Sequence, residues 1–287
     1  MNRNDRTEKQ SEPFDLHLHS NCSDGADTPS RVVAYAAERG LTLLALTDHD
    51  SVNGVKEAVF AGERLGARVL PAIEMDTEWL HELHILGLDV DIEEPRFVAA
   101  LDTAQKRRSL RNGEIAERLK SAGYDIVPYL SSGTEVATRL NIALALVKGG
   151  FAENTKDAFV RFLRKGCPGY FIVERYSPEE VISLIRGADG IPVWAHPMHG
   201  HADVHKLADL LKNCGLMGIE AFHPSLSEGD SDVLISIARQ QRLIVTCGSD
   251  YHGANRPDVL PGQTWLDHAA LRECRALLEA RPVRLLK

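Results

Sequence analysis

Six times along this chain a short apolar run meets a histidine or a carboxylate: FDLHLH at 14–19, LLALTDHD at 43–50, RVLPAIE at 68–74, LHILG at 83–87, IPVWAHP at 191–197 and LIVTCGSDYH at 243–252. Short runs with few charges are the mark of strands in a buried sheet. A charge or an imidazole at a buried strand end is costly unless it is paired or metal-bound. One or two such endings fit hydrogen-bond networks, but six meeting at one edge of a sheet point to a metal cluster. In α/β proteins that edge is where the chemistry sits.

The runs alternate with amphipathic stretches, so the expectation is an α/β fold, either a barrel or a doubly wound sheet. Candidate strands are Phe14 to His19, Leu41 to Leu46, Arg68 to Ile73, Leu83 to Val90, Tyr170 to Val173, Ile191 to Ala195, Gly218 to Phe222 and Leu243 to Cys247. Thr28 caps and Pro29 opens a helix that Gly40 ends, and a second helix follows Asn53-Gly54 and stops at Gly66. From about Glu94 to Lys165 the strand signals give way to helical periodicity (Ile115, Leu119, Ala122; Ile142, Ala143, Leu146, Val147), which reads as a helical insertion. Its stretch QKRRSLRNGEIAERLK is basic in an otherwise acidic chain.

Within the first run His17 and His19 are two apart, so in a strand both imidazoles face the same side. Asp48 and Asp50 flank His49 and are expected to orient its ring rather than to bind metal. His223 ends the strand GIEAFH and is a candidate proton donor to a leaving group, whereas His81, His199, His201 and His205 read as surface groups.

Composition narrows the partners. With 33 Lys+Arg against 41 Asp+Glu the net charge is -8, which disfavours long nucleic acid or an acidic membrane. The five cysteines are scattered without a CxxC pair, so neither a disulfide framework nor a zinc knuckle is expected. No run is long enough to span a membrane, and the polar residues 1–13 read as a disordered tail without a secretory signal, so a cytoplasmic protein is expected.

Taken together, DLHLHSNCSDG, LALTDHD, the IE at 73–74, LHILG, AHP and GSDYH resemble the polymerase and histidinol phosphatase (PHP) superfamily of metal-dependent phosphoesterases, from Phe14 to about Trp265. The resemblance implies a distorted seven-stranded β/α barrel at 14–94 and 166–287, with residues 95–165 as a substrate-capping insertion. It also implies two or three divalent ions: manganese foremost, with zinc or iron as alternatives suited to the mixed N/O donors. The ligands it implies are His17, His19, Glu74 and Asp250 for one ion; Glu74 again, with His84 and His196, for a second; and Asp24, His49 and His252 for a third. Such ions turn a bound water into hydroxide near neutral pH, so no protein nucleophile is needed.

The likeness is strongest to the branch that carries a helical insertion, which includes nucleoside 3′,5′-bisphosphate phosphatases and a 5′–3′ RNA exonuclease. Asp24, where other branches often have histidine, agrees with that branch. So do Arg108, Arg111 and Asn112, which match its RxxRN pattern, and Arg139, which matches an arginine that precedes a phosphate-facing histidine there. Asn141 departs from the pattern, since the branch usually has histidine there; as a substrate contact it donates a hydrogen bond but carries no charge. The expected activity is hydrolysis of a phosphomonoester, foremost the 3′-phosphate of a nucleoside 3′,5′-bisphosphate. Short RNA is the rival substrate and a non-catalytic PHP module the rival role.

Overall fold

Four of the apolar runs are buried along their whole length: Phe14–Leu18 (β1), Leu43–Leu46 (β2), His84–Leu88 (β4) and Ile191–Trp194 (β5). With Arg68–Asp76 (β3), Gly218–Phe222 (β6) and Ile244–Cys247 (β7) they form one seven-stranded sheet in the order β1-β2-β3-β4-β5-β6-β7. The computed structural model describes residues 12–79, 83–130, 137–200, 203–284 and 286. The sheet curls into a nearly closed barrel. Just past β7, Asp250 N–H donates to His17 O and His19 N–H donates to Tyr251 O, both at 2.9 Å, which joins the last strand to the first.

Most neighbours in the sheet are parallel, as a buried α/β sheet requires, but β4 runs antiparallel to both β3 and β5. The reversal has a functional result. The first residue of β4, His84, lies on the same rim as the C-terminal ends of the parallel strands. The expected strand at Tyr170 to Val173 does not form. Its apolar side chains find helical partners instead: Phe171 packs on the insertion's core under the Arg118 guanidinium, 4.7 Å from the ring centroid, and Ile172 is left exposed.

Among the described residues the helices are α1 (Pro29–Glu38), α2 (Val55–Leu65), α3 (Pro95–Ser121), α4 (Arg139–Lys148), α5 (Thr155–Ala158), α6 (Pro178–Gly187), α7 (Val204–Cys214), α8 (Glu228–Gln241) and α9 (Ala269–Glu279). The first two begin and end where their punctuation predicts. Thr28 Oγ1 accepts from Arg31 N–H, and Gly66 closes α2 in the left-handed region. Helix α3 links two cores. Phe97 and Leu101 near its start pack with the barrel, and Ile115 and Leu119 further along pack with Ile142, Leu146 and Phe162 in a separate cluster. Residues 1–11 of the expected tail, with His81 and His201, lie outside the described residues. Glu12 and Pro13, the end of that tail, are anchored: Glu12 bonds to Thr42 and Arg275, and Pro13 O accepts from Thr42 N–H.

Candidate metal centre

The rim residues meet as the strand register dictates. His17 and His19 point to one side of β1, and Glu74 reaches them from β3: His17 Nε2 and His19 Nε2 each lie 3.2 Å from Glu74 Oε2. Asp250 adds its Oδ1 at 3.5 and 3.2 Å from the same two nitrogens. Glu74 Oε1 lies 2.8 Å from His84 Nδ1 and 3.0 Å from His196 Nε2, so this one carboxylate faces two groups. In the third group Asp24 lies 3.2 Å from His252 Nε2, 3.7 Å from His49 Nε2 and 3.6 Å from His19 Nδ1. All nine residues expected to bind metal therefore come together in three groups of His and carboxylate donors, and a fourth group joins His49 and His84 through Asp76; within each, the donor atoms lie within 4.8 Å of one another. His19 also faces the third set.

The side chains suit cations. His17 Nε2, both ring nitrogens of His19, His49 Nδ1 and His252 Nε2 are buried without a hydrogen-bond partner, a costly state for polar atoms. The 3.2–3.7 Å separations of the first and third sets exceed good hydrogen bonds. They are what two donors about 2.1 Å from one ion would show, roughly 3 to 3.5 Å apart. The protons respond to the same crowding. Burial by itself would depress the pKa of His17, but Glu220, Glu74 and Asp250 outweigh it and hold the imidazole well above its ordinary value. His19 is likewise depressed by burial and lifted by Asp250 and Glu74, to about 9. Glu74 sits well below the usual carboxylate range, since His49, His17 and His84 outweigh the cost of its burial.

Backbone conformation aims several of these groups. Asp50, His196 and Asp250 hold left-handed φ angles of 47°, 32° and 55°, conformations that cost of order 1 kcal/mol or more and cluster at functional sites. Gly25 lets the β1–α1 loop fold back on itself: a Cβ there would lie 2.6 Å from His19 O.

The flanking aspartates behave differently from the expectation. Neither orients the His49 ring. Asp48 accepts from Ser20 N–H at 2.8 Å, Ser20 Oγ at 2.6 Å and Ser23 Oγ at 2.6 Å, and so shapes the loop that delivers Asp24. Asp50 instead takes the Arg108 guanidinium at 2.6 Å. What faces His49 Nδ1 is Asp76, at 3.3 Å, and Asp76 is also 3.3 Å from His84 Nε2. Asp76 was legible: in β3 it is two residues from Glu74 and shares its face, the same spacing that singles out His17 and His19. Glu220 was also missed, although a lone acid inside the apolar strand GIEAF marks it. It lies 3.0 Å from His17 Nδ1. Arg256, paired with Asp250, carries no local sequence signal.

The residues expected to meet substrate divide. Arg108 is buried and neutralised by Asp50 and Asp76. Arg111, three residues on, is 6 % exposed and makes no ion pair among the described residues; its hydrogen bonds go to Asn112 Oδ1 and Ala137 O. Burial, reinforced by Arg108, pushes its pKa down to about 9. Asn112 Nδ2 donates to Ala137 O. Arg139 donates to Leu163 O at 2.7 Å and lies over the Phe159 ring, so its fork serves the insertion's own packing. Asn141 is the N3 residue of a capping box: its Oδ1 accepts from Thr138 N–H at 2.6 Å while Thr138 Oγ1 accepts from Leu140 N–H. The Thr138 hydroxyl donates to Asp24 at 2.8 Å, so the capped end of α4 braces one of the rim carboxylates.

His223 is buried, with Nδ1 2.7 Å from Ser225 Oγ and Nε2 3.5 Å from Asp250. His199, expected at the surface, stacks on the His196 ring at 4.6 Å and lies 2.9 Å from Ser225 Oγ; His205 is exposed on α7 as expected. The five cysteines are all free. No described helix is long and apolar enough to cross a membrane.

Comparison with known proteins places this geometry. A family model described as the PHP domain matches residues 15–207. A 3′,5′-nucleoside bisphosphate phosphatase from Chromobacterium violaceum is 35 % identical over 247 residues, 83 % of this chain and 87 % of that protein. A 5′-3′ exoribonuclease from Haemophilus influenzae is 32 % identical over 247 residues, 83 % of this chain and 89 % of that one. Among solved structures, an amidohydrolase from C. violaceum with bound sulfate and no metal superposes with a TM-score of 0.86 at 32 % identity, covering 93 % of this chain and 96 % of that one.

Proposed function

The chain belongs to the PHP domain family and is a metal-dependent phosphoesterase, and from that premise we propose that it removes the 3′-phosphate of nucleoside 3′,5′-bisphosphates in the cytoplasm. The ligands we assign are His17, His19, Glu74 and Asp250; Glu74, His84 and His196; and Asp24, His49 and His252. Manganese is the foremost ion, with zinc or iron the others these donors suit. When bound, such ions activate water and neutralise phosphate oxygens. The protein's own part is to hold the donors on a rigid rim, to keep Asp24 in place through Thr138, and to receive the rest of the substrate beneath the insertion, residues 95–165. His223 faces the same rim from β6 and is the side chain placed to hand a proton to a leaving group.

One observation carries the two-phosphate substrate: Arg111. It is a buried guanidinium beside a second arginine, with neutral hydrogen-bond partners and no ion pair among the described residues. Among the described residues no carboxylate touches it, and a guanidinium fork matches phosphate. Arg108, one helical turn away, touches Asp76 at the rim, so an anion held by Arg111 sits close to the ions. The similarity to an exoribonuclease supports a second reading, 5′–3′ trimming of short RNA, in which Arg111 would take a backbone phosphate. Phosphate release from adenosine 3′,5′-bisphosphate, compared with hydrolysis of a 5′-phosphorylated trinucleotide in the presence of manganese, separates the two. If neither substrate turns over, both readings fall.

A further inference from the structure

Glu220 occupies the middle of β6 and has no exposed surface. A carboxylate there survives only if each oxygen is satisfied, and its two oxygens serve two different elements of the rim. Oε1 lies 3.0 Å from His17 Nδ1, and Oε2 accepts the backbone N–H of His196 at 2.8 Å. An ionised carboxylate only accepts, so the proton of that bond belongs to His17 Nδ1. Once an ion displaces the other proton, the lone pair of His17 is left on Nε2, the atom 3.2 Å from Glu74 and 3.5 Å from Asp250. The second bond holds His196 in its left-handed backbone conformation, φ 32°, which sets its ring against Glu74 and His84.

A third element leaves the carboxylate no room to move. Gly248, just past β7, packs so closely that a Cβ would lie 2.3 Å from Glu220 Oε1 and 2.2 Å from His17 Cβ. Strands β1, β5 and β6 and the turn after β7 thus meet around one buried side chain. We propose that Glu220 is a positioning residue of the metal centre: a single buried carboxylate that fixes the tautomer of His17 and the backbone of His196, and so presets one ligand in each of two ion groups. This rests on the reading of His17 and His196 as ligands. Carboxylate partners of this kind raise ligand basicity and lock ring orientation, and their loss typically costs about 10–100-fold in metal affinity or activity.

The test needs no substrate. Glu220→Gln keeps the volume but offers one acceptor and one donor to two N–H groups, so one of the two bonds must fail. Its manganese affinity, read by calorimetric titration and by competition with a chelator, should fall about 10–100-fold, while the metal-free protein melts within a few degrees of wild type. Glu220→Asp keeps the charge but is shorter by one methylene, and should fall between the two. In wild-type protein loaded with diamagnetic zinc, the 15N shifts of the His17 ring should place its proton on Nδ1, a measurement that requires no variant to fold. Unchanged metal affinity in Glu220→Gln, or a His17 proton on Nε2, overturns the proposal. His17→Ala is the control on the premise: if it binds manganese as tightly as wild type, the ligand reading itself has failed, and Glu220 with it.

Discussion

The barrel rim and the helical insertion both gather buried charge, but they balance it in opposite ways. At the rim, imidazole nitrogens and carboxylates face one another at 2.8–3.7 Å, and several ring nitrogens have no hydrogen-bond partner. In the insertion several arginines are already spoken for. Arg108 pairs with two aspartates, Arg107 with Glu174, Arg118 with Glu114, and Arg139 donates to a carbonyl. Buried Arg111, by contrast, has only neutral hydrogen-bond partners among the described residues. An array short of cations binds cations and a buried cation short of an anion binds an anion, so the two regions divide the work between metal and substrate.

The sharpest way to break that division is to remove a rim ligand. His196→Ala should lower turnover on every phosphorylated substrate by more than about 100-fold, beyond the range seen for outer partners of metal ligands. Activity equal to wild type in a phosphate-release assay would sink the metal assignment.

Next in size is Arg111→Ala. Losing a charged hydrogen bond to phosphate costs about 1.5–3 kcal/mol, roughly 10–150-fold. The loss should appear in kcat/KM for nucleoside bisphosphates and be much smaller for a simple phosphomonoester. Equal losses on both substrates would erase the contrast between the two regions. Arg139→Ala should behave differently, lowering the melting temperature of the protein more than its selectivity between these substrates, because that fork is committed to Leu163 O and the Phe159 ring.

Protons offer a milder probe of the rim. His17 and His19 have raised pKa values in the metal-free protein, His19 near 9, so at pH 7 an incoming ion must displace protons. Manganese binding should release protons and tighten as pH rises from about 6.5 to 9, as measured by calorimetry in buffers of different ionisation enthalpy. For the metal-free fold the sign is the reverse. A raised histidine pKa contributes stability that is fully present below the unfolded value near 6.5 and is lost as pH climbs through the folded value. Melting temperatures of chelated protein should therefore fall over the interval in which metal affinity grows. A flat profile for both would show that the rim imidazoles are not held protonated by their carboxylates.

The smallest effect is expected at Asn141. Replacing it with alanine removes half of a capping box and should cost about 0.5–1.5 kcal/mol of stability, the net worth of one hydrogen bond, with activity changed only through the link from Thr138 to Asp24. Asn141→His, the residue that the resemblance leads one to expect there, should also lose stability, because imidazole does not reproduce the amide's short bond to Thr138 N–H. A gain in activity on bisphosphates without loss of stability would make Asn141 a substrate contact after all.

These contrasts explain which parts of the protein can be read in one dimension. Most strands and the first two helices were legible because their signals are local: an apolar run, a Thr-Pro start, a glycine stop. Eight of the nine rim residues were legible for a related reason, Asp24, in the loop after β1, coming only from the resemblance. A strand is a ruler, and a polar residue at its end must project from the sheet's edge wherever the rest of the chain goes. Asp76 obeyed the same ruler and was simply not measured by it. The run at 170–173 misled because an aromatic and β-branched stretch is equally satisfied by a helix surface, and only the packed insertion shows that α3 claims it.

Strand periodicity and the cost of burying unpaired charge determined, from the sequence by itself, an α/β fold and an edge rich in histidine and carboxylate in a chain of net charge -8, and the likeness of its motifs to the PHP superfamily added the barrel and the bridging carboxylate. Only the tertiary structure decided how those charges are shared. It turned β4 around so that His84 joins the rim, set Glu220 behind His17, spent Asp50 on Arg108, made Asn141 a helix cap and, among the described residues, gave Arg111 no ion pair. The physical reason is that an ion pair or a hydrogen bond depends on which groups from distant segments come within about 3 Å, and no local pattern encodes that distance.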